Sequence, residues 1–204
     1  MMLLGLDWLT VASFLGAGVL LNLTPGADVM FASASGMSGG PRVGVAAAFG
    51  VALGGLMHSV LAAAGLAVIL QANPLAYDVV RYAGAAYLLF LAVKSWRAGP
   101  PDEAQGVARL GRAIRRGFVT NALNPKVALF VLAFLPQFTR PEAGPVWAQI
   151  LLLGGLFSTT GFFITAGYGV LAGVAGQALG RAAGWLDRVA AIVFGALALR
   201  LLLD

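Results

Sequence analysis

The sequence predicts an all-α membrane protein with six transmembrane helices, arranged as two inverted repeats of three helices. Three observations predict this fold: an apolar composition, six apolar stretches of membrane-spanning length, and a proline-interrupted stretch at matching places in the two halves. Helices 1 and 4 are predicted to break at Pro25 and Pro125. Residues 1–204 are predicted to form a single membrane domain. Its parts are repeat 1 at about 1–97, a loop at about 98–112 and repeat 2 at about 113–204.

Composition indicates the solvent. Hydrophobic residues make up 60% of the 204 residues and charged residues only 10%, and the mean hydropathy is +0.89. A soluble domain of this size must present more polar surface to water, so the lipid bilayer is the predicted surrounding. The chain has no cysteine, which excludes disulfides and thiolate metal sites, and we predict neither a metal nor a cofactor.

Six apolar stretches are long enough to cross about 30 Å of hydrocarbon, which takes roughly 20 helical residues. They lie near residues 8–37, 43–70, 79–97, 113–138, 146–173 and 185–203. Turn-forming sequences rich in glycine and proline separate them. The apolar N-terminus, residues 1–23, contains Asp7, and the chain has no Lys or Arg before Arg42. We therefore predict the first transmembrane segment there rather than a cleaved signal peptide.

Basic residues predict the orientation, because short loops rich in Lys and Arg stay on the cytoplasmic side. The 94–116 connection contains Lys94, Arg97 and four arginines between 109 and 116. We therefore predict that this loop is cytoplasmic and that both termini lie outside, in a multi-pass protein of the cell inner membrane. The net charge of +5 is explained by this topology, and the arginine run is expected to be a solvated loop that faces lipid phosphates. No nucleic-acid partner is predicted.

The two halves of the chain resemble each other around their prolines. Residues 23–31 and 123–130 each open with Leu, a polar residue and Pro inside an apolar stretch, and Asn22 or Asn121 precedes them. A repeat of three spans has an odd number, so its second copy must insert upside down. Inverted repeats of this kind are typical of secondary transporters, whose sites lie near the membrane midplane where broken helices meet.

A proline inside a helix removes a backbone donor and frees backbone polar groups. At membrane depth such backbone is tolerated only where it packs in protein or lines a watery cavity. The amide end of the second half-helix carries partial positive charge and can hold a carboxylate, for example that of an amino acid. A simple kink is the alternative for each proline, but the matched pair favours a site. The predicted substrate- and ion-binding residues are Asn22, Thr24, Pro25, Gly26, Asp28, Asn121, Asn124, Pro125 and Lys126.

Three ionisable residues fall at membrane depth: Asp28, Lys126 and His58. A charged Asp or Lys there costs roughly 2.5–3.5 kcal/mol, so compensating groups are expected. One interpretation pairs Asp28 with Lys126 across the repeat interface, where they bind the ammonium and carboxylate of a substrate or exchange partners during transport. A purely structural ion pair is the alternative. His58 is a candidate proton relay, and a histidine hydrogen-bonded inside the bundle is the alternative.

Several motifs together resemble the LysE/RhtB family of amino-acid exporters. They are Asn22 to Asp28 with its Thr-Pro-Gly, residues 38–40 and 50–54 with His58, residues 82–88, and Asn-Pro-Lys at 124–126 with Phe-Leu-Pro-Gln-Phe at 134–138. The resemblance runs nearly end to end. It implies a six-helix inner-membrane carrier that expels amino acids or their derivatives and is driven by protons. Family sequences usually have Pro-Gly-Pro where this chain has Pro-Gly-Ala at 25–27, which changes the stiffness of the first break.

The function predicted is therefore a secondary active, proton-coupled exporter that is not an enzyme, with an amino-acid substrate and protons as its partners. An intramembrane enzyme acting on a lipid is one alternative, although it would need several convergent acids, bases or metal ligands. A non-transporting scaffold is the other, and it has no need of paired broken helices. The oligomeric state stays open, with a homodimer among the candidates.

Overall fold

A computed structural model describes residues 2–3, 5–24, 26–65 and 106–178, together with the single positions 75, 82, 86, 89, 90, 93, 192 and 199. The predicted spans near 79–97 and 185–203 therefore fall outside the described stretches. Within those stretches the chain is almost entirely helical, with six α-helices. The all-α class predicted from the sequence is confirmed at this level.

The helices are α1 (Trp8–Leu23), α2 (Ala27–Gly39), α3 (Pro41–Ala63), α4 (Gly106–Ala122), α5 (Pro125–Leu129) and α6 (Val146–Ala178). A π-helical turn (Phe130–Phe134) and a 3₁₀ turn (Leu135–Phe138) continue α5, and a second 3₁₀ turn (Pro141–Ala143) leads to α6. Two short antiparallel strands, β1 (Met2–Leu3) and β2 (Leu6–Asp7), precede α1.

Several of these helices are long and apolar enough to cross a membrane. Both α3 and α6 qualify singly, and two bent pairs qualify when each pair is taken as one span. The pairs are α1 with α2, bent by 50°, and α4 with the segment that ends at Phe138, bent by 57°. Length and composition thus give two spans in the described residues, or up to four if each bent pair is one span.

Both bends lie close to the predicted breaks. The first falls between Leu23 and Ala27, and Pro25 itself is outside the described residues. The second falls after Ala122, and Pro125 is the first residue of the helix that follows. Assigning each bend to its proline stays a prediction, as does the inverted relation of the two halves.

Helix α4 begins at Gly106, earlier than the fourth span predicted near 113. It is amphipathic: Ala113, Gly117 and Thr120 are buried on one face, while Arg112 and Arg115 are exposed. Alternation with a helical period explains why polar residues can extend this helix into the predicted loop.

Pro136 explains the irregular turns after α5. Its ring has no N–H and excludes the carbonyl four residues earlier from the usual helical position. The chain widens instead, so that the Leu135 N–H donates to the Phe130 carbonyl five residues back. Phe130 consequently packs between Phe14 and Phe157, at ring-centroid distances of 5.6 and 4.8 Å. This aromatic stack forms the centre of one apolar core.

The N-terminal strands were not predicted from the sequence. Their turn contains Gly5, whose φ of +79° favours glycine, and a Cβ there would overlap the Ala143 carbonyl. Asp7 caps α1 by accepting a hydrogen bond from the Thr10 amide at 2.8 Å, and it pairs with Arg140 at 3.2 Å. The Thr10 bonds lower the pKa of the Asp7 carboxyl. The hairpin thereby contacts Arg140 and the second 3₁₀ turn that follows it.

Small residues let α2, α3 and α6 approach closely, as the glycine spacing of the sequence indicates. Gly44 of α3 lies against Gly169 of α6, and a Cβ at Gly44 would be 2.6 Å from the Gly169 carbonyl oxygen. Alanines of α2 and α3, together with Ala113 of α4 and Ala166 of α6, form a second apolar core there.

We expect Gly44→Ala to destabilise the protein by about 1–3 kcal/mol, because even one methyl group forces α3 and α6 apart. The thermal unfolding midpoint in detergent measures this effect. Gly16→Ala is the matched control, since Gly16 is exposed on α1 and a Cβ there meets no atom within 4 Å. An unfolding midpoint of Gly44→Ala equal to that of the wild type would contradict the close approach.

Candidate functional site

The first break frees the carbonyl groups at the end of α1, since the last turn of a helix has no intrahelical donors for them. The Thr24 amide and hydroxyl both donate to the Leu20 carbonyl, at 3.1 and 2.8 Å. The Lys126 ammonium donates to the carbonyls of Leu21 and Thr24, at 2.7 and 2.8 Å. A cation from beyond the second break therefore caps the first half-helix, where the helix dipole favours positive charge.

The second half-helix, α2, begins at Ala27, and its N-cap residue Gly26 is extended and provides no side-chain cap. Asp28 lies in the first turn of α2, where the dipole favours a negative charge. Its Oδ2 accepts hydrogen bonds from the side-chain amides of Asn121 at 2.8 Å and Asn124 at 3.0 Å. Its Oδ1 is buried, with no hydrogen-bond partner in the described part of the chain. Two amides beside the second break thus hold the carboxylate of the first.

Asn124 links the second break to the first. Its Oδ1 accepts from the Lys126 amide at 3.1 Å and so caps α5, while its Nδ2 bonds to Asp28. Pro125 is the first residue of α5, a position where the missing N–H costs no helical hydrogen bond. Asn124 and Pro125 therefore start a new half-helix, and Asn124 also contacts α2.

His58 is buried on α3, and its Nε2 lies 3.1 Å from the Asn121 carbonyl oxygen. Because a carbonyl only accepts, Nε2 carries the hydrogen. Nδ1 is buried without a partner among the residues that the structure describes. The sequence left two interpretations of His58 open, a proton relay and a histidine hydrogen-bonded inside the bundle. The structure contains such a hydrogen bond. The proton relay stays a prediction.

The groups around both breaks line one cavity of about 30 Å³. A water molecule needs roughly 10–15 Å³ by this measure, so the cavity has room for about two waters and must widen to admit an amino acid. Seven predicted residues lie on the cavity wall: Asn22, Thr24, Gly26, Asp28, Asn121, Asn124 and Lys126. Pro25 lies outside the described residues, while Pro125 and His58 are buried and do not contribute to the wall.

Sequence reasoning missed the wall that α6 contributes. Ser158, Gly161 and Thr165 of this helix face the cavity. Their spacing of three and four residues puts them on one face of a helix. A Cβ at Gly161 would lie 3.2 Å from the Asn22 side-chain nitrogen, so glycine leaves room for that side chain. Two polar residues at helical spacing around a glycine, within an apolar span, were the available signal.

Asp28 and Lys126 share the cavity wall. The hydrogen bonds described above give them separate neighbours, since amides hold the carboxylate and α1 carbonyls hold the ammonium. A direct ion pair between them stays a prediction. Within the described stretches, no group of three or more His, Cys, Asp or Glu residues could hold a metal ion.

Comparison with known sequences identifies the family. The model of the LysE type translocator family matches residues 19–204. The homoserine/homoserine lactone efflux protein of Salmonella typhimurium is 32% identical over 163 residues, which cover 78% of this chain and 79% of the relative. The chain belongs to the LysE type translocator family. It is therefore a membrane transporter and not an enzyme, as the sequence predicts.

Other relatives of this translocator resemble it to a similar degree. An uncharacterized membrane protein of Vibrio cholerae is 31% identical over 168 residues, covering 81% of the chain and 82% of the relative. The leucine efflux protein of Salmonella choleraesuis is 31% identical over 139 residues, covering 65% and 66%. No solved structure matches the translocator.

Proposed function

We propose that this LysE-type translocator is a secondary active exporter of amino acids or amino-acid derivatives across the inner membrane, driven by protons. Its relatives are named for the efflux of homoserine, homoserine lactone and leucine. The observation that carries the proposal is the position of Asp28, which lies on the wall of the polar cavity between the two bent helix pairs and accepts hydrogen bonds from Asn121 and Asn124. Carboxylates at membrane depth mark ion and substrate pathways.

Coupling follows from the bonds that cross between the two halves. Hydrogen bonds to a charged acceptor are roughly twice as strong as those to a neutral one. Protonation of Asp28 therefore weakens its bonds to Asn121 and Asn124 and lets the halves move relative to each other. In this proposal Asp28 is the proton-linked carboxylate, and the two repeats rock around the cavity to open it alternately to each side.

Lys126 has two roles in the proposed mechanism. It supplies the counter-charge of Asp28, and it attracts the carboxylate of the substrate into the cavity. Its ammonium lies between the two breaks, because it donates hydrogen bonds to the Leu21 and Thr24 carbonyls at the end of α1. Asn22 and Gly26 complete the polar wall, and Pro25 and Pro125 keep the backbone at the breaks free of regular helical bonds.

His58 is proposed as a second protonatable group beside the pathway. Its bond to the Asn121 carbonyl, and the bond from Asn121 to Asp28, support a connection between the two. We further propose that the 94–116 loop faces the cytoplasm and that both termini lie outside, so that the carrier loads its substrate from the cytoplasmic side.

The purified protein in liposomes tests the function. Liposomes loaded with labelled homoserine or leucine are diluted into acidic medium, so that protons flow inward as substrate leaves. We expect efflux to be faster with the gradient than without it, and to continue against an external substrate excess of up to about tenfold for one coupled proton, because a gradient of one pH unit supplies about 1.4 kcal/mol per proton. A protonophore should remove the acceleration. Efflux no faster than from protein-free liposomes, for every amino acid in a broad panel, would overturn the proposal.

A further inference from the structure

The Ser158 hydroxyl differs from those of its neighbours on α6. Thr159 donates to the Gly155 carbonyl at 2.8 Å, and Thr160 donates to the Leu156 carbonyl at 3.1 Å. This bond to the carbonyl four residues earlier is the usual way for a hydroxyl to be satisfied in a membrane helix. Ser158 is only 5% exposed, yet its Oγ has no hydrogen-bond partner among the described residues.

Local packing keeps this hydroxyl at the cavity. Ser158 lies on the cavity wall and faces Gly55 of α3, where a Cβ would be only 2.8 Å from Oγ. Any larger residue at that position would displace the serine side chain. A buried hydroxyl without a partner destabilises the folded state, so its placement at the wall favours a function in contacting the cavity's contents.

A second oxygen on the same wall has the same property. The Oδ1 atom of Asp28 is buried and has no partner in the part of the chain that the structure describes, while Oδ2 is held by Asn121 and Asn124. A carboxylate only accepts hydrogen bonds, and a hydroxyl oxygen accepts them as well. The group that satisfies both oxygens and also compensates the carboxylate charge is one with several N–H donors and a positive charge.

We infer that Ser158 binds the ammonium group of the substrate together with Asp28, and that this carrier requires a primary amine in its substrates. The inference rests on the proposed export function and adds α6 to the helices that form the binding site. In this arrangement Asp28 Oδ1 accepts one N–H and Ser158 Oγ accepts another. Derivatives that alter the carboxyl end of an amino acid keep this contact, whereas derivatives that acylate the amine lose it.

Binding to the purified protein in detergent tests the inference. The ligands are homoserine and leucine, their N-acetyl derivatives, and the corresponding primary amines without a carboxylate. For the wild type we expect binding of the amino acids and amines but not of the N-acetyl compounds. Ser158→Ala should weaken the binding of every amine-containing ligand by about tenfold or more, as expected for a lost hydrogen bond to a charged group.

Thr159→Ala is the matched control, because it removes a neighbouring hydroxyl that bonds to its own helix and is not on the cavity wall. It should bind all ligands as the wild type does. Ser158→Ala should also unfold at a temperature no lower than the wild type, since the hydroxyl it removes has no hydrogen-bond partner among the residues that the structure describes. A structural role for Ser158 would instead lower the unfolding temperature.

Other outcomes overturn the inference. The inference is wrong if Ser158→Ala binds the amine-containing ligands with wild-type affinity. It is also wrong if only ligands with a hydroxylated side chain bind more weakly, because Ser158 would then contact the side chain of the substrate. Failure of the proposed function is distinguishable from both. If the wild type binds amines but exports no amino acid, the export proposal fails and the amine site stands. If it binds no amine at all, the amine site fails.

Discussion

Asp28→Asn is expected to abolish the acceleration of efflux by a pH gradient. Asparagine has nearly the shape of aspartate but cannot gain or lose a proton in the physiological range. Its oxygen can still accept from Asn121 or Asn124, so the connection between the two breaks is weakened rather than removed. Efflux from loaded liposomes should then proceed at one rate with and without the gradient, and more slowly than in the wild type.

Asp7→Asn makes the same chemical change outside the cavity. Asp7 caps α1 and pairs with Arg140, and asparagine is an equally good capping residue. This variant should keep the gradient response of the wild type. Full acceleration in Asp28→Asn, at protein levels equal to those of Asp7→Asn, would show that another group carries the coupled proton.

Lys126→Met is expected to destabilise the folded protein and to reduce transport. Of the substitutions proposed here, it should lower the folded population most. Methionine keeps the apolar stem but removes the donor that holds the carbonyls of Leu21 and Thr24. Each hydrogen bond from a charged donor contributes about 1.5–3 kcal/mol. Asp28 would also lose a nearby positive charge on the same wall. We therefore expect the free energy of unfolding to fall by several kcal/mol. The unfolding midpoint and the yield of monodisperse protein measure this loss.

Arg115→Met is the comparison for Lys126→Met. It removes a basic residue that is exposed on α4 and is not on the cavity wall. Its unfolding midpoint should stay close to that of the wild type. An equal midpoint for Lys126→Met would mean that water satisfies the two α1 carbonyls, and the capping role of the ammonium would then be wrong.

Residue identity alone located much of the site. A proline next to Asn, Asp or Lys is conspicuous in an apolar stretch. Burying a polar or charged side chain in lipid costs free energy, so such residues are expected where other groups compensate them. For this reason Asp28, Asn121, Asn124 and Lys126 could be predicted as wall residues. Ser158 was missed because a single serine in a membrane helix is commonplace and ordinarily bonds to its own backbone.

The hydrogen-bond partners of these residues were harder to predict from the sequence. The predicted pairing of Asp28 with Lys126 depends on how each helix is rotated about its axis, and one residue corresponds to a rotation of about 100°. The observed hydrogen bonds connect Asp28 to two asparagines and Lys126 to backbone carbonyls. Backbone groups freed by a break are strong acceptors at membrane depth, and composition does not reveal which side chain reaches them.

From the amino-acid sequence one can conclude that this chain is a helical membrane protein of a translocator family, and one can identify the polar residues that interrupt its apolar spans. Those properties follow from composition and local order, since lipid excludes charge and unbonded backbone wherever they occur. The folded arrangement was needed to show that both interruptions share one cavity and that α6 contributes to its wall. It was also needed to show that one oxygen each of Asp28 and Ser158 has no hydrogen-bond partner in the described residues. These depend on helix rotation and close packing, which arise from contacts between residues far apart in the chain.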